Sequence, residues 1–309
     1  MRPNFDLNVP PGGYAWWYVD AISDDGRHGL TMIAFIGSVF SPYYAWARAR
    51  GHADPLAHCA INVALYGPGG RWCMTERGRT AVERTSSTLR IGPSALSWSD
   101  EHLNIDVHEW SVPLPRPVRG RIRVQPERVN DQSLKLDRAG HHRWTPIWPL
   151  ARVEIDFQNP QLSWNGGGYF DHNSGIEPLE AEFDNWSWSR ATTRSGPVVL
   201  YDTQHQSGER GSHAILFEQN GQWAPLPSPP RVELPPCRWG IKRPTRSEDG
   251  TARVLATWED TPFYTRSLVE TCLLGERVKA VHEGLSLRRF SSRVVQLMLP
   301  FRMPRRNGS

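Results

Sequence analysis

The sequence predicts an all-β protein with two domains. Alternating or β-branched segments recur along the chain, and clusters of Gly, Pro, Asp and Asn separate them. The 26 Gly and 26 Pro would break most long helices. A length of 309 residues exceeds what one ordinary core needs, so we expect two cores of usual size.

The individual elements follow from the local pattern. Turns with hairpin chemistry, such as DDGRHG, YGPGGR, EQNGQW and SEDGTA, recur at the spacing of antiparallel sheets. Helix is expected only in two short segments, residues 43–50 and 177–183. The predicted strands lie in HGLTMIAFIGSVF, HCAINVALY, STLRIGPSALSW, HLNIDVHEWSV, RGRIRVQP, ARVEIDF, GPVVLYDT, HAILFEQ, RVELPP and TARVLATWED.

The two halves of the chain resemble each other. An aromatic strand, a polar turn and an apolar strand at 14–35 have a counterpart at 184–203, and 58–72 has one at 213–223. The first half carries an extra piece at 38–55 where the second has a short connection. Two copies of one β unit explain this most simply, and ligand pockets often lie where two such domains meet.

The joint between the copies is predicted in residues 159–180, which gives an N-terminal domain at 1–163 and a C-terminal domain at 164–309. This segment holds Pro160 and the triple glycine Gly166–Gly168. No GxGxxG follows a strand there and no Lys-Ser/Thr pair accompanies the glycines, so a phosphate-binding loop is not indicated. The glycines are interpreted as a tight turn or bulge.

Composition excludes several classes of protein. The net charge of +4 is mildly basic and the Arg residues are scattered, which does not indicate nucleic-acid binding. No segment has the roughly 18 consecutive apolar residues of a membrane span, and residues 1–17 lack a signal-peptide pattern, so a cytoplasmic location is expected. The four Cys form no CxxC pair. The 14 Trp are unusual and suit flat apolar ligands as well as cores.

Two short clusters combine proton-transfer groups with aromatic rings. They are HHRWTPIWP at 141–149 and GYFDHNSG at 168–175. Residues two apart on a strand face the same way, so His142 shares a face with Trp144, and Tyr169 with Asp171. If the two strands pair, an imidazole, an indole, a phenol and a carboxyl converge, as a catalytic site requires.

Other interpretations of these clusters remain open. Asp and His beside Gly and Asn are also ordinary turn formers. A metal site could use His141, His142, His172 and Asp171, although the HxH or HExxH spacing is missing. No G-x-S-x-G elbow is present for nucleophilic hydrolysis.

The order of long motifs between residues 11 and 201 resembles the carotenoid 1,2-hydratase (hydroxyneurosporene synthase) family of photosynthetic bacteria, and the likeness weakens toward the C-terminus. It is specific, because several motifs recur in the same order. They are GGYAWWYVDAISDDGRHGLTMIAFIGSVFSPYYAWAR, HCAINVALYG, MTERGR, IGPSALSW, GHHRWTPIWPLARVEIDF and GYFDHNSGIEPLEAEFDNWSWSRA.

The resemblance implies hydration of neurosporene or lycopene at the C1,2 double bond, giving a 1-hydroxy carotenoid without a cofactor or metal. It also implies two lipocalin-like β-barrel domains packed against each other. The family's functional set is a His-x-Trp followed by a Tyr-x-Asp. These positions fall on His142, Trp144, Tyr169 and Asp171, and all four match.

Physical chemistry suggests a role for each residue. Asp171 would protonate C2, which requires burial to keep its carboxyl protonated, and His142 would stabilise the carboxylate as it forms. The rings of Trp144 and Tyr169 would stabilise the tertiary cation at C1. His142 or Tyr169 would orient the water and take its proton.

The expected partners are an acyclic carotenoid and a lipid surface. A carotene is insoluble in water, and residues 286–306 combine apolar residues with Arg in a way compatible with docking to anionic lipid. The expected location is therefore peripheral, on the inner or photosynthetic membrane. A final strand with basic edges is the alternative interpretation of this segment.

Two rival functions use the same features. A lipocalin-like apolar ligand-binding protein or a pericyclase would keep a Trp-rich cavity without the acid chemistry. A carbohydrate-binding or hydrolytic β protein would need a second catalytic carboxylate, for which the candidates are Glu154, Asp156 and Glu177.

Overall fold

The computed structural model describes residues 4–99, 101–218 and 222–306. They form two compact units: the chain up to Pro178 together with the residues from Leu297 onward, and Leu179–Gln296. Strands dominate both units, which confirms the predicted all-β class. None of the described helices is long and apolar enough to cross a membrane.

The first unit contains most of the strands and one full helix. Its elements up to residue 178 are β1 (Tyr14–Ser23), β2 (Gly29–Ile36), α1 (Pro42–Ala49), β3 (Cys59–Tyr66), β4 (Arg71–Arg77), β5 (Val82–Arg84), β6 (Thr88–Ile91), β7 (Ser94–Trp98), β8 (Leu103–Trp110), β9 (Pro117–Arg128), β10 (Leu134–Lys135), β11 (His142–Asn159) and β12 (Leu162–Gly175).

The described residues after Pro178 form further strands and three short α-helices. They are α2 (Leu179–Glu182), β13 (Phe183–Thr193), β14 (Gly196–His205), β15 (Arg210–Phe217), β16 (Trp223–Pro225), β17 (Arg231–Leu234), β18 (Arg243–Arg246), β19 (Arg253–Asp260), β20 (Tyr264–Leu273), β21 (Glu276–Ser286), α3 (Leu287–Phe290), α4 (Arg293–Met298) and β22 (Arg305–Arg306).

The described strands of the first unit form one sheet in the order β22-β4-β3-β2-β1-β12-β11-β9-β8-β7-β6-β5, with β10 beside β11. The sheet curls, so that β4 approaches β8. A buried ion pair between Arg77 and Glu109, 2.8 Å long, links these two strands. Because the sheet curls, one of its faces encloses an apolar core that includes Trp17, Trp148 and Phe170.

The second unit repeats the strand order of the first. Its main sheet, as far as it is described, runs β16-β15-β14-β13-β21-β20-β19, and β17 pairs with β18. The series β16-β15-β14-β13-β21-β20 therefore parallels β4-β3-β2-β1-β12-β11, which confirms the internal repeat. The extra piece of the first half contains α1. The predicted turn at 218–223 falls largely on residues 219–221, which lie outside the described residues.

The predicted tight turn at the triple glycine is wrong, and the predicted bulge occurs only beside it, where the register shifts between Trp148 and Ala151 opposite Phe170 and Gly168. Gly166, Gly167 and Gly168 lie inside β12 and pair with β1 and β11. A Cβ at Gly166 would come within 1.9 Å of the Ile22 carbonyl oxygen, and one at Gly168 within 2.3 Å of Val153. Gly166 and Gly168 thus allow neighbouring strands to approach closely, and the chain reverses earlier, between Asn159 and Leu162.

The two units divide inside the segment 159–180 that was predicted for the joint, but the boundary itself differs from the predicted one. The boundary placed after residue 163 falls within β12, whereas the two units divide between Pro178 and Leu179. The physical reason is that β11 and β12 form one continuous hairpin, so that both strands stay with the first sheet.

The two helix predictions had different outcomes. The segment 43–50 is confirmed as α1, whose N-cap Ser41 accepts a hydrogen bond from the backbone N–H of Tyr44. The segment 177–183 contains only the single turn α2. The alternative of a final strand over 286–306 is wrong for most of that segment, because α3 and α4 occupy it and only β22 is extended.

Candidate active site

The four predicted site residues lie on the paired strands β11 and β12. The register sets His142 opposite Gly175 and Trp144 opposite Asn173. His142, Trp144, Tyr169 and Asp171 are all buried, with at most 4% of any side chain exposed. Because residues two apart share a face, the strand pairing brings all four to one face of the sheet.

This face is the opposite of the one that encloses the core. On β1 the core takes Trp17 and Val19, whereas Trp16 and Tyr18 point to the site face. In the register, Tyr18 lies opposite Asp171 and Trp16 opposite Asn173. The central strands are therefore buried on both faces, which explains why their sequence contains so few exposed polar positions.

The carboxyl group of Asp171 is the centre of a compact hydrogen-bond cluster. The indole N–H of Trp144 donates to Asp171 Oδ2 at 2.9 Å, and the phenol of Tyr169 donates to the same oxygen at 2.9 Å. The Trp144 N–H also lies 3.1 Å from the Tyr169 hydroxyl. Three of the four predicted residues thus form one unit with direct contacts.

Asn173 supplies the donor to the second carboxyl oxygen of Asp171. Its Nδ2 lies 3.1 Å from Asp171 Oδ1. The sequence assigns a donor role of this kind to His142. Within the part of the chain that the structure describes, the Oδ1 of Asn173 has no hydrogen-bond partner. The amide can therefore also turn and accept a hydrogen bond at this position.

His142 belongs to a second group at the end of the same face. Its Nδ1 lies 2.9 Å from the Tyr14 hydroxyl, and the two rings stack. Its Nε2 lies 3.6 Å from Glu177 Oε1, which also lies 3.0 Å from Nδ1 of His141. A tyrosine and a carboxylate therefore flank the imidazole.

Gly175 makes the contact between Tyr14 and His142 possible. Both residues are its partners in the register, one on each neighbouring strand. A Cβ at Gly175 would lie 2.4 Å from Cε1 of Tyr14 and 2.8 Å from Nδ1 of His142. The two side chains therefore meet over a residue that must lack a side chain.

Tyr169 is held as a neutral phenol. Burial raises its pKa well above the usual value of 10, and the Asp171 carboxyl raises it further whenever it is ionised. Asp20, a buried carboxyl opposite Tyr169 in the register, acts in the same direction. The hydroxyl consequently remains a hydrogen-bond donor throughout the physiological pH range.

The residues of the alternative metal site are not brought together. His172 lies on the core face, where its ring stacks on Trp17 and its Nδ1 is 3.0 Å from the Trp16 carbonyl oxygen. Burial lowers its pKa to about 4. The described residues contain no group of three or more His, Cys, Asp or Glu placed to hold a metal ion.

The candidates for a second catalytic carboxylate are also not brought together at one site. Glu154 and Asp156 line a polar surface groove that also includes Arg121 and Arg123. Glu177 alone lies at the site, beside the two histidines. A carboxylate pair across a sugar-binding cleft is therefore not assembled around Asp171 by these residues.

Sequence reasoning missed four residues of the site: Tyr14, Asp20, Asn173 and Gly175. Asp20 had a usable signal, because a lone charge interrupts the aromatic strand YAWWYVDA. Asn173 continues the alternation of Tyr169 and Asp171 by one further step. Tyr14 and Gly175 carried no local signal, since their roles depend on the register of three strands.

Comparison with known proteins shows the family of the chain. Residues 32–309 match the family described as carotenoid hydratase CrtC. The acyclic carotenoid 1,2-hydratase of Thiocapsa roseopersicina is 58% identical over 309 residues, which are 99% of this chain and 76% of that relative. The acyclic carotenoid 1,2-hydratase of Rubrivivax gelatinosus is 51% identical over 310 residues, which cover 98% of this chain and 76% of the relative.

Solved structures share the fold at low sequence identity. A putative AttH from Nitrosomonas europaea superposes with a TM-score of 0.58 at 13% identity, covering 93% of this chain and 99% of that chain. This likeness supports the lipocalin-like fold class. The family is established by the sequence matches, from which it follows that the chain belongs to the carotenoid hydratase family.

Proposed function

We propose that this protein hydrates the C1,2 double bond of acyclic carotenoids such as neurosporene and lycopene, forming 1-hydroxy carotenoids. One observation carries the proposal: a buried carboxyl, Asp171, accepts hydrogen bonds from Trp144 and Tyr169 on an aromatic face. Family membership and the relatives named acyclic carotenoid 1,2-hydratase support the substrate class.

Asp171 is the general acid of the proposed reaction. A trisubstituted alkene is a very weak base, so the first step transfers the proton of the Asp171 carboxyl to C2 and leaves a cation on tertiary C1. Burial favours the protonated carboxyl before substrate binds. The donors Trp144, Tyr169 and Asn173 then stabilise the carboxylate that forms.

Aromatic rings stabilise the cation at C1. A desolvated aromatic face contributes roughly 0.5 to 2 kcal/mol to a nearby cation without acting as a nucleophile. Trp144 and Tyr169 supply such faces, and Trp16 and Tyr18 lie on the same side of the neighbouring strand. Exclusion of bulk water from this buried face limits uncontrolled capture of the cation.

Water adds to C1 and gives a proton to His142, and exchange with solvent then deprotonates His142 and reprotonates Asp171, which completes the cycle. Because Tyr169 remains a phenol, His142 is the better acceptor, and Tyr14 and Glu177 orient it. His142 pairs with Gly175, four residues beyond Asp171, which corresponds to about 13 Å of strand. Trp144 and Asn173 lie between the acid and the base on this face, so the proposal places the carotenoid end group and one water over these two side chains.

The proposed steps use a Brønsted acid, hydrogen-bond donors, aromatic rings and water, and no cofactor. The substrate dissolves in lipid and not in water, so the enzyme takes it from a membrane surface as a peripheral protein.

The test is incubation of the purified protein with lycopene in H₂¹⁸O and, separately, in D₂O. The proposal predicts a product with one ¹⁸O at C1 and one deuterium at C2. An apolar ligand-binding protein would bind lycopene and leave it unchanged. A pericyclase would give an isomer without added oxygen. Either outcome contradicts the proposal.

A further inference from the structure

The C-terminal helical segment exposes a row of apolar side chains. Val294, Leu297, Met298 and Phe301, here called the C-terminal stripe, are 70%, 66%, 39% and 81% exposed. Their spacing of three, one and three residues places them along one side of α4 and the 3₁₀ turn that follows it. Large apolar side chains thus form a continuous exposed row.

The side of the segment that packs against the rest of the protein is a different one. Val295 and Leu299 are buried and anchor the same turns from the other side. A surface helix of a water-soluble domain normally turns a polar face outward. The segment is instead apolar on both faces, which marks the outer face as a contact surface.

The surroundings of the stripe are strongly basic. Residues 284–309 contain six Arg and no Asp or Glu. Arg288, Arg293 and Arg302 are exposed beside the stripe in the sequence. Exposed apolar residues and neighbouring positive charge together match an anionic bilayer surface.

We infer that the C-terminal stripe docks the protein on a membrane rich in anionic phospholipid, with the stripe in the acyl boundary and the arginines at the headgroups. This inference rests on the proposed function, because a carotene substrate resides in lipid. The positive charge argues against a second copy of this chain as the occupant, since two such surfaces would repel each other.

The test compares Leu297→Glu combined with Phe301→Glu against the matched control Leu114→Glu. Leu114 is as exposed as Leu297 but lies in the loop between β8 and β9. Flotation with phosphatidylglycerol-rich vesicles should show at least about tenfold less binding for the double variant and no loss for the control. Binding of the wild type should weaken on phosphatidylcholine alone and at high salt.

An activity ratio separates docking from catalysis. The rate on vesicle-embedded lycopene divided by the rate on detergent-dispersed lycopene should fall about tenfold in the double variant. Three results would overturn the docking inference. The wild-type protein does not bind the vesicles, or the double variant binds them as well as the wild type. The third is a wild-type dimer that the double variant dissociates, which would make the stripe a dimer contact. Wild-type protein that binds the vesicles but hydrates neither vesicle-embedded nor detergent-dispersed lycopene would contradict the proposed function. The docking inference would not be affected by that result.

Discussion

The indole N–H of Trp144 lies 2.9 Å from Oδ2 of Asp171 and donates to it. The sequence suggested Trp144 as a π surface for the cation. The contact adds a second role, because a hydrogen bond to the carboxylate lowers the cost of forming it during proton transfer.

This contact predicts that Trp144→Phe is harmful although it keeps an aromatic ring. A hydrogen bond to a charged group contributes about 1.5–3 kcal/mol, so kcat should fall roughly 10- to 100-fold. Trp144→Ala should lose more, since it also removes the ring. The matched control is Trp98→Phe, because Trp98 Nε1 has no hydrogen-bond partner among the described residues. Near wild-type turnover of Trp144→Phe would leave only the π role.

Asp171→Asn should abolish hydration while the fold and lycopene binding persist. Asn has the size of Asp but cannot deliver a proton. The local structure can accept it, since Asn173 Oδ1 is available to accept from the new amide. Turnover would be read beside thermal melting and lycopene retention. A variant that melts normally and still hydrates lycopene would require another acid.

Much of the candidate site could be predicted because its side chains alternate along single strands. The His-x-Trp and Tyr-x-Asp spacings gave the correct faces of β11 and β12, and the repeat of strand, turn and Trp gave the shared strand order. These are local patterns of period two, which a sequence displays directly.

The features that escaped prediction depend on contacts between distant segments. Gly166–Gly168 has the composition of a turn, and only the approach of β1 and β11 shows that Gly166 and Gly168 relieve crowding inside a strand. Tyr14 lies 128 residues from His142 in the chain, so its hydroxyl contact has no local signature. Strand register decides both cases, and register is set by the whole sheet.

Exhaustive dialysis and strong chelation should leave turnover within about twofold of the untreated protein, because no proposed step draws on a metal or cofactor. The measurement is lycopene hydration before and after treatment, with metal content determined on the same samples. Lost activity that a divalent metal restores would contradict the cofactor-free mechanism and return attention to His141 and His142.

Gly175→Ala should separate Tyr14 from His142. The new methyl group would collide with both rings, so one must move, at a cost of about 1–3 kcal/mol in stability. We expect kcat to fall at least about tenfold, with a smaller loss for Tyr14→Phe, which removes only the hydroxyl. Gly167→Ala is the matched control on the same strand, since its methyl group would meet no atom within 4 Å. Equal turnover of the two glycine variants would remove Tyr14 from the mechanism.

His172 should make the fold sensitive to acid. Its pKa of about 4 lies below the unfolded value of 6.5, because burial disfavours the imidazolium ion. The unfolded chain therefore binds the proton more readily, and the stability present above pH 6.5 is lost as the pH falls from 6.5 toward 4, by at most about 3 kcal/mol. His172→Phe keeps a ring against Trp17 and removes the titration, so its thermal midpoint should decline less between pH 7 and pH 4 than that of the wild type. His108→Gln, at an exposed histidine, should follow the wild-type curve. Parallel curves for wild type and His172→Phe would mean that another group controls acid unfolding.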